Sequence, residues 1–264
     1  LKYSIRNSII MNNSGKGLRT YSNADGDKTR PYVQNVLIAN NSSRGIELNR
    51  ADPFFSAVTI VNNGSDGIFC YNNSDPTVIN SIIWGNSPES IDSFSENEQP
   101  IITYSNIESG WEGAGNIGAG IDDDPLFTDL ESGDFTLQGG SPCIDSGDPN
   151  IWYNDLNGTR SDMGTTGGLF LLPNFTSYDF GEIGEIGSNK QFNLYNYRET
   201  AITITSVNFN TNSFSTNTTF PTTIEPLQTG IINIEANNSV LGFTQDEMVL
   251  VSEDLPQGIF VSLS

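Results

Sequence analysis

Four stretches of this chain repeat one apolar phrase: Asn7-Ser8-Ile9-Ile10-Met11-Asn12-Asn13, Asn35-Val36-Leu37-Ile38-Ala39-Asn40-Asn41, Ala57-Val58-Thr59-Ile60-Val61-Asn62-Asn63 and Asn80-Ser81-Ile82-Ile83-Trp84-Gly85-Asn86. Tyr104-Ser105-Asn106-Ile107 begins a fifth copy. From Asn13 to Asn41, Asn63 and Asn86 the steps are 28, 22 and 23 residues, the period of a solenoid coil. Each full phrase is followed, after a polar turn, by a second short strand: Gly17-Leu18-Arg19-Thr20, Gly45-Ile46-Glu47-Leu48, Gly67-Ile68-Phe69-Cys70 and Ser90-Ile91-Asp92-Ser93. Alternation then sends Ile10, Ile38, Ile60 and Ile83 to one side, and Leu18, Ile46, Ile68 and Ile91 likewise on the next strand. One coil cannot bury such a face alone. The coils must therefore stack in parallel register, and residues 5 to 107 are predicted to form a parallel β-helix.

Asn13, Asn41, Asn63 and Asn86 fall at the bend between the two strands. Asn tolerates the left-handed conformation better than other residues with a Cβ, and stacked Asn side chains bond to one another along the axis. The four are therefore expected to be the left-handed bend residues and to form a ladder. With that ladder, the Asn80 to Asn86 phrase resembles the right-handed parallel β-helix repeat of the pectate-lyase-like superfamily. The superfamily holds polysaccharide lyases and hydrolases, and also surface proteins without known activity.

Charge narrows the partners. A net charge of -21, with 11 Lys and Arg, repels nucleic acid and anionic membrane, because phosphate recognition needs clustered cations. No apolar run is long enough to span a bilayer. Two cysteines, Cys70 and Cys143, give no disulfide framework, and Cys70 is expected to be a small buried apolar residue. A composition led by Asn, Ser, Thr, Gly and Asp suggests an exported protein, extracellular or at the cell surface; the family resemblances below imply a bacterial one. The opening Leu1-Lys2-Tyr3-Ser4-Ile5 already lies within the repeat pattern, so a fragment or processed product is expected, with further parts of the polypeptide at both ends.

The longest insertion between coils is Tyr21 to Pro31, where function tends to reside on a rigid solenoid. From Glu108 to about Gly168 the repeat lapses. Asp124-Pro125-Leu126-Phe127, Gly133-Asp134-Phe135-Thr136-Leu137 and Gly140 to Asp148 resemble the segment that closes many bacterial right-handed β-helix proteins, and Asp155 to Gly164 resembles its usual ending. The expected first domain is thus 1–170, with 108–170 as a cap over the last coil. From 171 to 264, runs at 178–180, 191–195, 202–205, 223–224, 231–234, 248–251 and 259–263 suggest about seven antiparallel strands, the size of an immunoglobulin-like β-sandwich. Phe180-Gly181-Glu182-Ile183, Phe192-Asn193-Leu194-Tyr195-Asn196, Thr200 to Ile204 and Ile224-Glu225-Pro226-Leu227 resemble bacterial relatives of the ASH family of immunoglobulin-like modules, which implies a spacer or interaction unit. The fold class is all-β, a right-handed parallel β-helix followed by that sandwich.

With no histidine in the chain, His-dependent triads and imidazole bases are excluded. On the second strand ladder the outward residues are Arg19, Glu47, Phe69 and Asp92, then Tyr21, Asn49, Tyr71 and Phe94. Stacked about 4.8 Å apart, they make a stripe of aromatics beside charges. Arg19, Tyr21, Glu47, Phe69, Tyr71, Asp92 and Phe94 are the candidate ligand-binding residues, for a glycan or another surface ligand. Simple aromatic stacking is the competing role. Glu47 and Asp92, two coils or about 9.6 Å apart, have the separation of an inverting carboxylate pair. Nearby cations such as Arg19, Lys28, Arg30, Arg44 and Arg50 lack the carboxylate cluster a lyase requires, and no catalytic residue is assigned. Asp145, Asp148, Asp155 and Asn157, and separately Asp122-Asp123-Asp124, could supply oxygen ligands to calcium, without the EF-hand spacing. The expected function is a non-catalytic structural, adhesive or glycan-binding protein. The alternative is part of a polysaccharide lyase or hydrolase acting along the β-helix face.

Overall fold

The structure is a computed structural model of the 264-residue chain. It describes residues 3–22, 27–95, 97–150, 153–155, 159–165, 171–182, 188–196, 200–226, 228–237, 243–253 and 255–264. The chain divides into two compact units, Leu1–Leu169 and Phe170–Ser264.

In the first unit, β1 (Ser4–Met11), β3 (Tyr32–Ala39), β5 (Phe54–Val61), β7 (Thr77–Ile79), β8 (Ile82–Trp84), β10 (Ile101–Thr103) and β11 (Asn106–Ile107) share one parallel sheet. A second parallel sheet runs in the order β2 (Leu18–Tyr21), β4 (Ile46–Asn49), β6 (Ile68–Tyr71), β9 (Ile91–Ser93). Ile10, Ile38, Ile60 and Ile83 are register partners in one column. Leu18, Ile46, Ile68 and Ile91 form another. A third column, not foreseen, holds Ile5, Val33, Phe55, Val78 and Ile102. All three meet in one hydrophobic core, so each coil has three sides and the parallel β-helix stands.

The extra side arises because the long strands bend within themselves. Asn7, Asn35, Ala57, Asn80 and Tyr104 have φ between 46° and 52°. At the second bend the left-handed residues are Asn12, Asn40, Asn62 and Gly85, with φ of 53° to 65°. The left-handed residue therefore precedes each of Asn13, Asn41, Asn63 and Asn86, which corrects the expectation. The ladder itself is present. Asn13 donates its backbone N–H and its Nδ2 to Asn41 Oδ1 at 3.2 and 2.8 Å. Asn41 does the same to Asn63, and Asn63 to Asn86. Division of labour explains the offset: one residue reverses the chain, and the next aims a carboxamide along the axis. Beyond the polar turn the coils approach closely, and a Cβ on Gly45 would lie 2.7 Å from the Gly67 carbonyl oxygen.

Residues 108–165 do two things rather than one. Trp111 packs against the β-helix core, Tyr104 and Ile107 donate backbone bonds to Ala114 and Ile117, and Asn116 Nδ2 bonds the Ile102 carbonyl at 2.9 Å. That short piece closes the last coil. The remainder, with the antiparallel pair β12 (Phe127–Asp129) and β13 (Asp134–Leu137), lies against the flank of the solenoid. Phe127, Phe135, Cys143 and Met163 form a second core with Met11, Leu37, Ala39, Val61, Ile82 and Trp84. Those strand residues are apolar on the outward face and need a cover. The cover is pinned by Gly164 N–H on the Asn80 carbonyl at 2.8 Å and Thr165 N–H on Thr59 Oγ1 at 3.0 Å. The expected cap over the end is mostly a cover along the side.

The second unit is two sheets. One runs β14 (Leu171–Pro173), β16 (Ser188–Asn196), β20 (Thr229–Ala236), β18 (Phe214–Thr216). The other runs β15 (Ser177–Tyr178), β22 (Leu255–Leu263), β21 (Asp246–Ser252), β17 (Ile202–Phe209), β19 (Thr222–Ile224). Alternation buries Phe192, Leu194, Ile232 and Ile234 on one sheet and Ile202, Ile204, Met248, Leu250 and Val261 on the other. β14 and β18 are strands the sequence did not announce. Among the described residues, no helix is long and apolar enough to cross a membrane.

Candidate functional site

The outward face of the sheet β2, β4, β6, β9 brings the stripe together. Arg19 is the register partner of Glu47, Glu47 of Phe69 and Phe69 of Asp92, and Tyr21, Asn49 and Tyr71 form the neighbouring column. Tyr21 is 56% exposed and Phe94 76%. Glu47 behaves otherwise. It is 4% exposed, and its oxygens meet Lys16 Nζ at 2.8 Å, Arg44 Nη1 at 2.8 Å and Arg19 Nε at 3.1 Å. Arg44 also holds Asp66 at 3.0 Å and lies 3.5 Å above the centre of the Phe69 ring.

Burial alone would raise the Glu47 carboxyl, but hydrogen bonds and charge from Lys16 and Arg44 overcome it and hold the group below its ordinary range. Arg19 is held more firmly protonated by a hydrogen bond with Tyr71 and by the charge of Glu47. Glu47 is thus a spent acceptor that fixes three cations, and it corrects the picture of an outward carboxylate free to meet a ligand. Asp92 caps the Ser93 N–H at 2.8 Å. Its inverting pairing with Glu47 fails chemically, because a carboxylate bound by three cations neither gives nor takes a proton. The surface left to a ligand is the Arg19 guanidinium with Tyr21, Tyr71 and Phe94. Lys16 and Asp66 were missed, although a signal existed: with Arg44 they occupy the position before the glycine in successive coils, at Gly17, Gly45 and Gly67.

In the insertion between the first coils, residues 23–26 lie outside the described residues. Lys28 spans Asp52 at 2.9 Å and Asp75 at 2.8 Å, and Arg30 reaches Asp52 at 3.4 Å. These cations tie coil to coil.

Of the expected calcium ligands, Asp145 and Asp155 come together, joined by Asp162, with one oxygen of each within 4.8 Å of the others. Asp148 instead caps the Asn150 N–H at 2.8 Å, and its own N–H bonds Asn80 Oδ1 at 2.6 Å. Asn157 lies outside the described residues. Burial, then the charge of Asp162, pushes the Asp155 carboxyl up to about 7, and Asp162 is raised mainly by burial. Three such oxygens are half of the smallest set that calcium takes. Asp123 accepts the N–H groups of Gly118 and Gly120 at 3.0 and 2.6 Å and serves as a turn anchor.

A coiled stack of parallel strands joined by an Asn ladder defines a β-helix class of protein. Residues 2–122 match the family described as "Right handed beta helix region". No curated protein matches the chain. Among solved structures, a protein of unknown function from Porphyromonas gingivalis W83 is similar at 14% identity and a TM-score of 0.31, over 35% of this chain and 44% of that one. The YadV chaperone is similar at 11% identity and a TM-score of 0.27, over 36% of this chain and 50% of that one. The chain thus spans half or less of either structure.

Proposed function

We propose that this is a non-catalytic, exported bacterial protein of the pectate-lyase-like superfamily whose β-helix presents a glycan-binding face, with the second unit as an immunoglobulin-like, ASH-like spacer. The observation that carries the reading is the cage around Glu47. It consumes the one carboxylate that stands beside an exposed cation in the stripe, and it fixes Arg19 between Tyr21 and Tyr71 as a rigid, preorganised patch. Aromatic rings with a nearby donor fork suit the apolar faces and hydroxyls of a sugar. Lys16, Arg19 and Arg44 are matched by Glu47, Asp66 and Asp92, so the patch is close to neutral within a strongly acidic chain. A neutral or cationic glycan fits this better than a polyanion, which the net charge repels unless calcium bridges it.

The test is a binding titration with a panel of neutral, amino and uronic-acid oligosaccharides. Binding of neutral or amino glycans is expected, weakened about tenfold or more, the equivalent of about 1.4 kcal/mol, by Tyr71→Ala or Arg19→Ala. Preference for uronic-acid polymers without calcium, or binding indifferent to both substitutions, contradicts the proposal.

A further inference from the structure

The charges of the sheet β2, β4, β6, β9 are sorted along the solenoid axis. In the turn before each strand the residues are Lys16, Arg44, Asp66 and Glu89, brought one above another by bonds from the Gly17, Gly45 and Gly67 N–H groups to the Arg44, Asp66 and Glu89 carbonyls. In the outward strand column they are Arg19, Glu47, Phe69 and Asp92. Lys16, Arg19 and Arg44 thus belong to the coils of β2 and β4, and Asp66, Glu89 and Asp92 to those of β6 and β9, with Glu47 the carboxylate that stands among the cations. Arg19 and Asp92 mark the two ends of the stripe, about 14 Å apart by the strand spacing.

Arg44 shows what an aromatic ring beside a carboxylate takes on this face. Its guanidinium lies 3.5 Å above the centre of the Phe69 ring while Asp66 holds it at 3.0 Å. One coil along, the same elements recur in another order and stand open, because the preceding turn supplies Asp66 where the coil before it supplied Arg44. Phe94 lies beside Tyr71, with its N–H on the Cys70 carbonyl at 2.9 Å, and is 76% exposed. Asp92 is on the same outward side and gives one oxygen to the Ser93 N–H, and Glu89 is exposed. Among the described residues, no cation lies within ion-pair distance of Asp92 or Glu89. Glu98, 6% exposed and held by the N–H groups of Asn73 and Ser95 rather than by a cation, adds its charge at this end.

We propose that this end of the face is an amino-sugar subsite, in which Asp92 and Glu89 hold the ammonium of an unacetylated amino sugar and Phe94 takes the apolar face of its ring, while Arg19 meets hydroxyl oxygens farther along the same oligosaccharide. The inference rests on the glycan-binding reading above and names the sugar. The sorted charges favour that occupant. A uronic-acid chain sets carboxylates against Asp92 and Glu89, and an N-acetylated chain brings them no charge. An ammonium at an aromatic edge beside a carboxylate repeats the pairing that Arg44 makes with Phe69 and Asp66.

The test is a binding titration of the full chain with a glucosamine oligomer, its fully N-acetylated counterpart and a lysine oligomer, at a pH that keeps the sugar amines protonated. The native chain should bind the glucosamine oligomer about tenfold more tightly than either of the others. Asp92→Asn keeps an acceptor for the Ser93 N–H and removes only the charge, so it should bring the two oligosaccharides to equal affinity. Glu182→Gln, which removes one exposed charge from the second unit, should keep the preference. Tyr71→Ala should weaken both oligosaccharides. Equal affinity of the native chain for the two, with both lost in Tyr71→Ala, overturns the subsite and leaves the glycan-binding face standing. No binding of either overturns both. A preference that survives Asp92→Asn, one lost equally in Glu182→Gln, or a lysine oligomer bound as tightly as the glucosamine oligomer reduces the effect to general charge attraction and overturns the subsite.

Discussion

Glu47 shows how one residue changes meaning once its neighbours are known. In the sequence it is a carboxylate on an outward strand position; in the fold it is the buried anchor of Lys16, Arg19 and Arg44. Its pKa is lower folded than unfolded, so its contribution to stability is complete above about pH 4.5, the ordinary value, and is lost as pH falls through the lowered one. Glu47→Gln should therefore flatten the acid limb of the melting temperature against pH, and should cost roughly 1.5–3 kcal/mol near neutrality by leaving its cations uncompensated. A mutant whose acid limb matches that of the native chain contradicts this assignment. The thiols follow the same logic of burial. Cys70 and Cys143 are both buried and free, and burial raises both, Cys143 to about 11. Neither should be alkylated by iodoacetamide at pH 8 until the chain is unfolded, since the thiolate is the reactive form.

At the scale of the element, position in a ladder sets what a side chain is worth. Asn63 accepts two bonds from Asn41 and donates to Asn86 and to the Ile38 carbonyl, all buried. Asn63→Ala strands those partners and should cost roughly 1–3 kcal/mol, whereas Asn13→Ala, at the exposed end, should cost well under half as much in urea unfolding. Equal losses would mean that the ladder adds nothing beyond local turn geometry. The strand columns were legible because a fixed offset recurs in every copy, and the same recurrence marked Arg19, Tyr21, Phe69, Tyr71 and Phe94 as neighbours. Three features were not legible from strand alternation. The bend at Asn7, Asn35, Ala57 and Asn80 falls inside strand-length stretches that no Gly or Pro interrupts. The left-handed residue could be either of two adjacent Asn residues, and spacing alone does not choose between them. The cage around Glu47 draws on Lys16 and Asp66, which belong to turns and follow no strand alternation.

At the scale of the molecule, the cover shows that closing segments need not sit on ends. Phe127, Phe135, Cys143 and Met163 cover the outward apolar face of β1, β3, β5 and β8, so Met163→Asp should detach the cover and expose Trp84 to fluorescence quenching. The second unit should fold alone as a β-rich domain by circular dichroism if the fragment begins at or before Leu171, because β14 pairs with β16 along Leu171, Leu172 and Pro173. A disordered product would argue against two independent units. On the proposed function, the Arg19, Tyr21, Tyr71 face binds without turnover. Its most direct test is product release from uronic-acid polymers with calcium, followed by unsaturated-product absorbance, beside reducing-end release from neutral glycans. The expected result is no release by the native chain on any glycan it binds. Robust release that disappears in Arg19→Ala or Glu47→Ala would contradict the claim and make this face an active site.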